Sequence, residues 1–146
     1  MASLTGSIAV RKTSDETVNN SNTLQDDDDL VIAVGANEVW YFEALLLCSS
    51  NTTADYKFNV TVPSGATLTW VLLGPLNTDD TPSVSAGAGI AGNQDIGGAA
   101  VRIMIRGMLR VSSTAGNLQL QWAQNTANAS DTKVLTDSWL MGARES

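Results

Sequence analysis

The stretch VRIMIRGMLRV, residues 101–111, has aliphatic side chains at alternate positions, with arginines and methionines at the positions between them. Successive side chains on a β-strand point to opposite faces of the sheet, so this alternation predicts a half-buried strand. The aliphatic face consists of Val101, Ile103, Ile105, Leu109 and Val111. Gly107 interrupts that face, and a glycine inside a strand indicates either a bulge or the close approach of another segment.

The same period of two recurs on both sides of this segment. Its apolar positions are Tyr56, Phe58, Val60 and Val62 in residues 55–62, and Leu118, Leu120 and Trp122 in residues 117–124. Shorter or less regular strands are predicted at residues 7–12, 30–34, 67–73 and 133–141. Turn signals such as Pro63-Ser64-Gly65 separate the strands. We therefore predict an all-β, single-domain jelly-roll sandwich of about eight antiparallel strands. The predicted core is Tyr56, Phe58, Val60, Ile103, Ile105, Leu118, Leu120 and Trp122.

Residues 39–48 are apolar on both faces of the strand that they predict. One face belongs to the core, and the other must be covered by a loop, a helix or another subunit. The sequence does not decide which face is which. We take side chains from both faces as candidate interface residues, namely Trp40, Phe42, Leu45 and Leu47.

Composition agrees with a chain that assembles. Of its 146 residues 16% are charged, against about 25% in typical soluble domains. Either part of the surface is buried against other copies, or the plentiful Asn, Gln, Ser and Thr residues replace the charges. The net charge of −7 repels nucleic-acid phosphates and anionic lipids, so we expect neither as a partner. With the two-faced strand, the low charge leads us to expect a homotrimer.

Three of the basic residues, Arg102, Arg106 and Arg110, share the polar face of residues 101–111. That face is either solvated or forms ion pairs with acidic groups of an adjacent subunit. We include the three arginines among the candidate interface residues.

The sequence contains few of the residues that enzymes use for catalysis. The chain has no histidine and one cysteine, Cys48, which removes the usual general base, the usual nucleophile pairs and a structural zinc site. Gly87 to Gly92 matches a nucleotide-binding glycine pattern by letters, but the strand-and-helix context is missing. We predict no catalytic residue and no cofactor. Glycan hydrolysis by two carboxylates is a weaker idea, with candidates Asp137, Glu43, Asp55 and Asp95.

The acidic run of residues 26–29 precedes an apolar strand. Carboxylates bind hard cations such as Ca²⁺, but the run lacks the spaced ligands of an EF-hand loop. A short charge run at a strand entry is otherwise simply solvated. We predict no metal site; if a cation binds, its candidate ligands are Asp26, Asp27, Asp28 and Asp29.

Two segments lack the period of two that predicts strands. Residues 1–22 are polar and predict an N-terminal arm, whereas residues 23–146 form the jelly-roll body. Residues 74–100 hold most of the glycines and predict a long flexible loop. The start of the chain lacks a basic region followed by an apolar stretch, which indicates assembly in a cytoplasm.

The order of motifs resembles small structural proteins of tailed bacteriophages. The motifs are KTSDETVNNSNTLQDDDDL (residues 12–30), ANEVWYFE (36–43), DYKF (55–58) and VPSGA (62–66). The resemblance implies a tumour necrosis factor-like jelly roll that trimerises on the capsid surface of a virion. It implies a non-enzymatic capsid decoration (cement) protein whose partner is the major capsid protein. The alternative is a tail or head fibre domain that binds host surface carbohydrate. No functional residue can be transferred, because no ligand motif accompanies this pattern.

Overall fold

The computed structural model describes residues 4–74, 84–86, 92–94 and 100–145. These residues form β-strands and no helix, so the chain is all-β. The strands, in chain order, are β1 (Leu4–Arg11), β2 (Glu16–Val18), β3 (Gln25–Val34), β4 (Val39–Ser49), β5 (Tyr56–Thr61), β6 (Thr67–Leu73), β7 (Val84–Ala86), β8 (Gly92–Gln94), β9 (Ala100–Arg110), β10 (Gly116–Gln124), β11 (Thr132–Val134) and β12 (Trp139–Glu145).

The strands form two antiparallel sheets. The eight-stranded sheet has the order β1-β12-β4-β9-β6-β7, with β11 beside β4 and β2 beside β11. The four-stranded sheet has the order β3-β10-β5-β8. Consecutive strands from β3 to β6 alternate between the two sheets, an arrangement compatible with a β-sandwich.

One hydrophobic core draws on both sheets, and it confirms the core predicted from the period of two. All eight predicted residues are buried: Tyr56, Phe58, Val60, Ile103, Ile105, Leu118, Leu120 and Trp122. Alternation succeeds as a guide here because each of these strands has one face on the core and one face outside. Cys48 is fully buried among the same apolar side chains.

Gly107 marks a close approach and not a bulge. The pairing of β9 with β4 and with β6 runs through this residue without a register shift. A Cβ atom at this position would lie 2.4 Å from the carbonyl oxygen of Thr69 and 2.8 Å from the ring of Phe42. Only glycine leaves room for the ring and the neighbouring backbone together.

Within the predicted polar N-terminal arm, residues 1–22, the structure places two strands in the eight-stranded sheet. Residues 4–11 form β1, which pairs with β12, and residues 16–18 form β2, which pairs with β11. Their polarity has a physical reason. Residues 5–9 are exposed at the edge of the sheet, where small and polar side chains meet no packing requirement.

Other strand boundaries also differ from the sequence prediction. Four strands of three residues each, β2, β7, β8 and β11, are too short to produce a readable period, so about eight strands were expected. The strand predicted at residues 133–141 divides into β11 and β12 around a turn. Two short strands, β7 and β8, fall inside the predicted loop 74–100, most of which lies outside the described residues. Within the described part, nothing helical has the length and apolarity to cross a bilayer.

Candidate functional site

The candidate functional site is the face of the eight-stranded sheet that points away from the core. Four neighbouring strands, β12, β4, β9 and β6, build it. Their outward side chains belong to every second residue, starting with the first, of the ranges 41–47, 69–73, 102–110 and 139–143. We call this set of residues the outer patch. The intervening side chains of β4 and β6, from Trp40 to Cys48 and from Leu68 to Leu72, are buried in the core.

Strand register arranges the outer patch in rows that cross the four strands. One row consists of Ala143, Tyr41, Met108 and Thr69. The next consists of Met141, Glu43, Arg106 and Val71. The third consists of Trp139, Leu45, Met104 and Leu73. The first two rows line a shallow concavity of about 570 Å³.

Several of these side chains are large, apolar and open to solvent. Tyr41 is 45% exposed, Met141 40% and Leu73 39%. An antiparallel sheet that faces water on one side normally places polar residues there. A contiguous exposed apolar surface marks a site of interaction with another molecule.

The kinds of residue in the outer patch are those of protein interfaces. Aromatic residues, methionine and arginine are enriched in interfaces, whereas Lys, Asp and Glu are depleted. Every methionine of the chain other than Met1 lies in the patch: Met104, Met108 and Met141. The patch contains no lysine or aspartate, and its single acidic residue is Glu43.

The patch is positively charged on a negatively charged chain. Arg106 pairs with Glu43 through Nη2 and Oε2 at 3.0 Å, whereas Arg102 and Arg110 have no ion pair among the described residues. Three arginines against one glutamate give the patch a charge of +2. Since the whole chain carries −7, the remainder carries −9. The patch is therefore complementary to the rest of the same protein.

The structure separates the residues that the sequence grouped as an interface. Trp40 and Phe42 are each 4% exposed and lie in the core, which removes them from the candidate surface. Leu45 and Leu47 are half-buried on the outer patch. The remaining three, Arg102, Arg106 and Arg110, are exposed on the same patch, as their alternation indicated.

Sequence reasoning missed the other side chains of the outer patch, in particular Tyr41, Trp139, Met104, Met108 and Met141. The signal that could have identified the outward face of β4 was the apolar face of residues 101–111, which already placed Ile103 and Ile105 in the core. Ile105 pairs with Ala44, so the even-numbered residues of β4 share the core face. That deduction needs the register between two strands, which the local pattern does not contain.

The acidic run, which the sequence places before a strand, lies inside β3. The pairing of β3 with β10 shifts register between Gln119 and Gln121, and Asp27 lies in the resulting irregularity. Asp27 is buried, and its Oδ1 accepts hydrogen bonds from the backbone N–H of Asp29 at 3.1 Å and of Leu30 at 2.9 Å. Among the described residues no group of side chains suits a metal ion.

Asp27 belongs to a buried polar group that we call the Lys12 cluster: Lys12, Glu16, Asp27 and Trp122. Lys12 is 1% exposed. Its Nζ donates to Oδ1 of Asp27 at 2.8 Å and to Oε2 of Glu16 at 2.6 Å. The indole Nε1 of Trp122 donates to the other oxygen of Asp27, Oδ2, at 3.1 Å.

The two ionisable neighbours of Asp27 have shifted pKa values. Burial lowers the pKa of Lys12, but its hydrogen bonds to Asp27 and Glu16 outweigh burial, so that the pKa lies above its usual value. Burial raises the pKa of Glu16, because it disfavours the charged carboxylate. The cluster holds the ammonium group of Lys12 between the carboxyl groups of Asp27 and Glu16, and a carboxyl oxygen of Asp29 lies 3.9 Å from the same nitrogen.

The carboxylates considered for hydrolysis do not come together. Glu43 binds Arg106 in the outer patch, whereas Asp137 binds Arg11 at the sheet edge. Asp55 lies before β5 with a φ of 49°, and Asp95 lies outside the described residues. Glu43 and Asp137 are thus each engaged by a different arginine, Arg106 and Arg11.

Comparison with known proteins found no matching family model, no matching curated protein and no matching solved structure.

Proposed function

We propose that this chain is a non-enzymatic structural protein of a virion that assembles as a homotrimer and decorates the capsid. The outer patch carries the assembly part of this proposal, because it is a broad apolar surface with the composition of an interface. The virion part rests on the resemblance of residues 12–66 to small structural proteins of tailed bacteriophages. On this proposal the major capsid protein is the second partner and the capsid surface is the location.

Charge favours a ring over a face-to-face dimer. In a twofold dimer the same patch meets itself, and the positive charges of two patches oppose each other. In a ring each patch meets a different surface of its neighbour, and that remaining surface is acidic. A closed ring of three copies satisfies this complementarity in every subunit.

The jelly-roll part of the proposal is supported by strand order. Strands β3, β10, β5 and β8 form one sheet, and β1, β12, β4 and β9 lie side by side in the other. A jelly roll is a double sheet of eight strands with this kind of alternating connection. The pair β6 and β7 then extends the second sheet beyond β9.

Light scattering on the purified protein tests the assembly. We expect three times the chain mass of 15.3 kDa at micromolar concentration. The variant Met141→Glu places a charge in the middle row of the patch and should give the single-chain mass. Its matched control is Ile8→Glu, since Ile8 is 43% exposed but lies on β1, outside the patch.

A single-chain mass for the unchanged protein would overturn the trimer. A trimer that survives Met141→Glu, or one that dissociates only with Ile8→Glu, would show that the interface is not the outer patch. The virion role is tested by the number of copies of this protein per virion, measured relative to the major capsid protein. A decoration protein is present in many copies per head.

The second candidate is a fibre domain that binds host carbohydrate. The observation that favours it is the exposed ring of Tyr41 beside the concavity, because sugars stack on aromatic faces. On this alternative Tyr41→Ala abolishes glycan binding and leaves the trimer intact. Loss of the trimer without any glycan binding in the unchanged protein would favour the decoration role.

A further inference from the structure

The Lys12 cluster holds an amine and a carboxyl group in contact inside the protein. Nζ of Lys12 lies 2.8 Å from Oδ1 of Asp27, and the side chains are 1% and 0% exposed. Glu16 touches the same nitrogen at 2.6 Å and is 12% exposed. We propose that Lys12 and Asp27 join in an intramolecular amide bond, formed by the protein itself, with Glu16 as the proton carrier.

The reaction needs no oxidant, metal or second molecule. Lys12 first passes one proton to Oδ1 of Asp27 along their hydrogen bond. The neutral amine then attacks Cγ of Asp27, and the new N–C bond places negative charge on Oδ2. Glu16 takes a second proton from the nitrogen and returns it to Oδ1. The C–Oδ1 bond breaks, one water molecule leaves, and the amide keeps the last proton.

The surroundings suit each part of this reaction. The indole N–H of Trp122 already donates to Oδ2, where charge develops, at 3.1 Å. Oδ1 is held by the backbone N–H groups of Asp29 and Leu30, which fix the carboxyl group in place. Amine and carboxyl groups held in contact react as if at very high concentration, on the order of 10⁵ M or more.

Burial also explains why amide formation is favoured over the ion pair. Two opposite charges without water lose hydration, whereas the amide and the released water carry no net charge. In the resting state Lys12 keeps its proton, because its hydrogen bonds to Asp27 and Glu16 raise its pKa. The bond therefore forms slowly after folding, through the fraction of molecules in which the proton has moved. Burial raises the pKa of Glu16 and so equips it to hold the proton in transit.

Mass spectrometry of the full chain tests the proposal directly. After folding and prolonged incubation, we expect the denatured protein to be lighter than its sequence by one water molecule. Digestion with a glutamate-specific protease cuts after Glu16, between the joined residues. The two resulting fragments should stay together as one branched species. An unchanged mass with separate fragments would overturn the proposal.

Three variants assign the roles. Lys12→Arg keeps the positive charge but cannot form this amide, so its mass should equal that of its sequence. Glu16→Gln should slow the loss of water at least tenfold; a rate equal to that of the unchanged protein would remove Glu16 as the carrier. Lys57→Arg is the matched control, because Lys57 lies on β5, outside the cluster, and should leave the bridge intact. Water loss that persists in Lys12→Arg would show that the bond forms elsewhere.

Discussion

Replacing Gly107 with alanine tests the close packing at the centre of the eight-stranded sheet. The added methyl group would lie 2.4 Å from the carbonyl oxygen of Thr69 and 2.8 Å from the ring of Phe42. The carbonyl belongs to a strand paired with β9, so neither backbone can move without breaking ladder hydrogen bonds. Overpacking of a core costs about 1–3 kcal/mol, and the rigid partner places this site at the upper end. A loss of about 2–3 kcal/mol lowers the melting temperature by about 4–12 °C in a chain of this size.

The control is Gly6→Ala, because a Cβ atom at Gly6 meets nothing within 4 Å. Both variants reduce the entropy of the unfolded chain equally, an effect of about 0.4–1 kcal/mol, so their difference isolates the clash in the folded state. Calorimetry should be run at one protein concentration, since the trimer that we propose would make the melting temperature depend on concentration. A difference in melting temperature of about 1 °C corresponds to less than about 0.5 kcal/mol of stability. If the two variants differ by no more than this, the backbone of β6 does not approach Gly107 closely enough to exclude a methyl group.

Three further predictions follow from the core and the sheet edge. Phe58→Ala should destabilise the fold by about 3–5 kcal/mol in urea titrations. The reason is that the Phe58 ring is fully buried and stacks on the ring of Tyr56, with 5.3 Å between the ring centroids. A loss below about 1 kcal/mol would contradict its place in the core. Cys48 should react with thiol reagents only after unfolding, since burial raises the pKa of its thiol; rapid labelling of the native protein would show the opposite. The hydrogen bond from Arg144 holds the pKa of Glu38 below its usual 4.5. The ionised carboxylate therefore stabilises the fold above pH 4.5, and this stabilisation is lost as the pH falls through the lowered pKa. Glu38→Gln should accordingly make the melting temperature less dependent on pH below 4.5, and an unchanged profile would argue against the ion pair.

The core was predictable because its signal is local. Side chains such as Phe58 and Ile103 sit in strands with one apolar and one polar face, and the alternation alone assigns each face. The same rule gave the common side of Arg102, Arg106 and Arg110. It failed for β4, where both faces are apolar and only pairing with β9 distinguishes them.

The burial of Lys12 was not predictable in this way. Lysine is almost never fully buried unless it is paired, and Lys12, just after β1, finds its partner Asp27 on β3. The irregularity in β3 that turns the Asp27 carboxyl group inward arises from the pairing with β10. Neither residue stands out in the sequence, since one lies in a polar stretch and the other in a run of identical charges. For segment 4–22 the local pattern predicted a strand at residues 7–12, but the pairing of β1 with the distant strand β12 is not a local signal.

The position of β12 has a consequence for the order of folding during synthesis. This strand lies between β1 and β4, so β1 gains its strand partner only after β12, which comes much later in the chain, has been synthesised. The wait also delays completion of the outer patch, because Trp139, Met141 and Ala143 of β12 belong to it. A nascent chain that stops short of residue 139 lacks these side chains and leaves the edge of β4 open. Only chains that include β12 therefore present the complete outer patch.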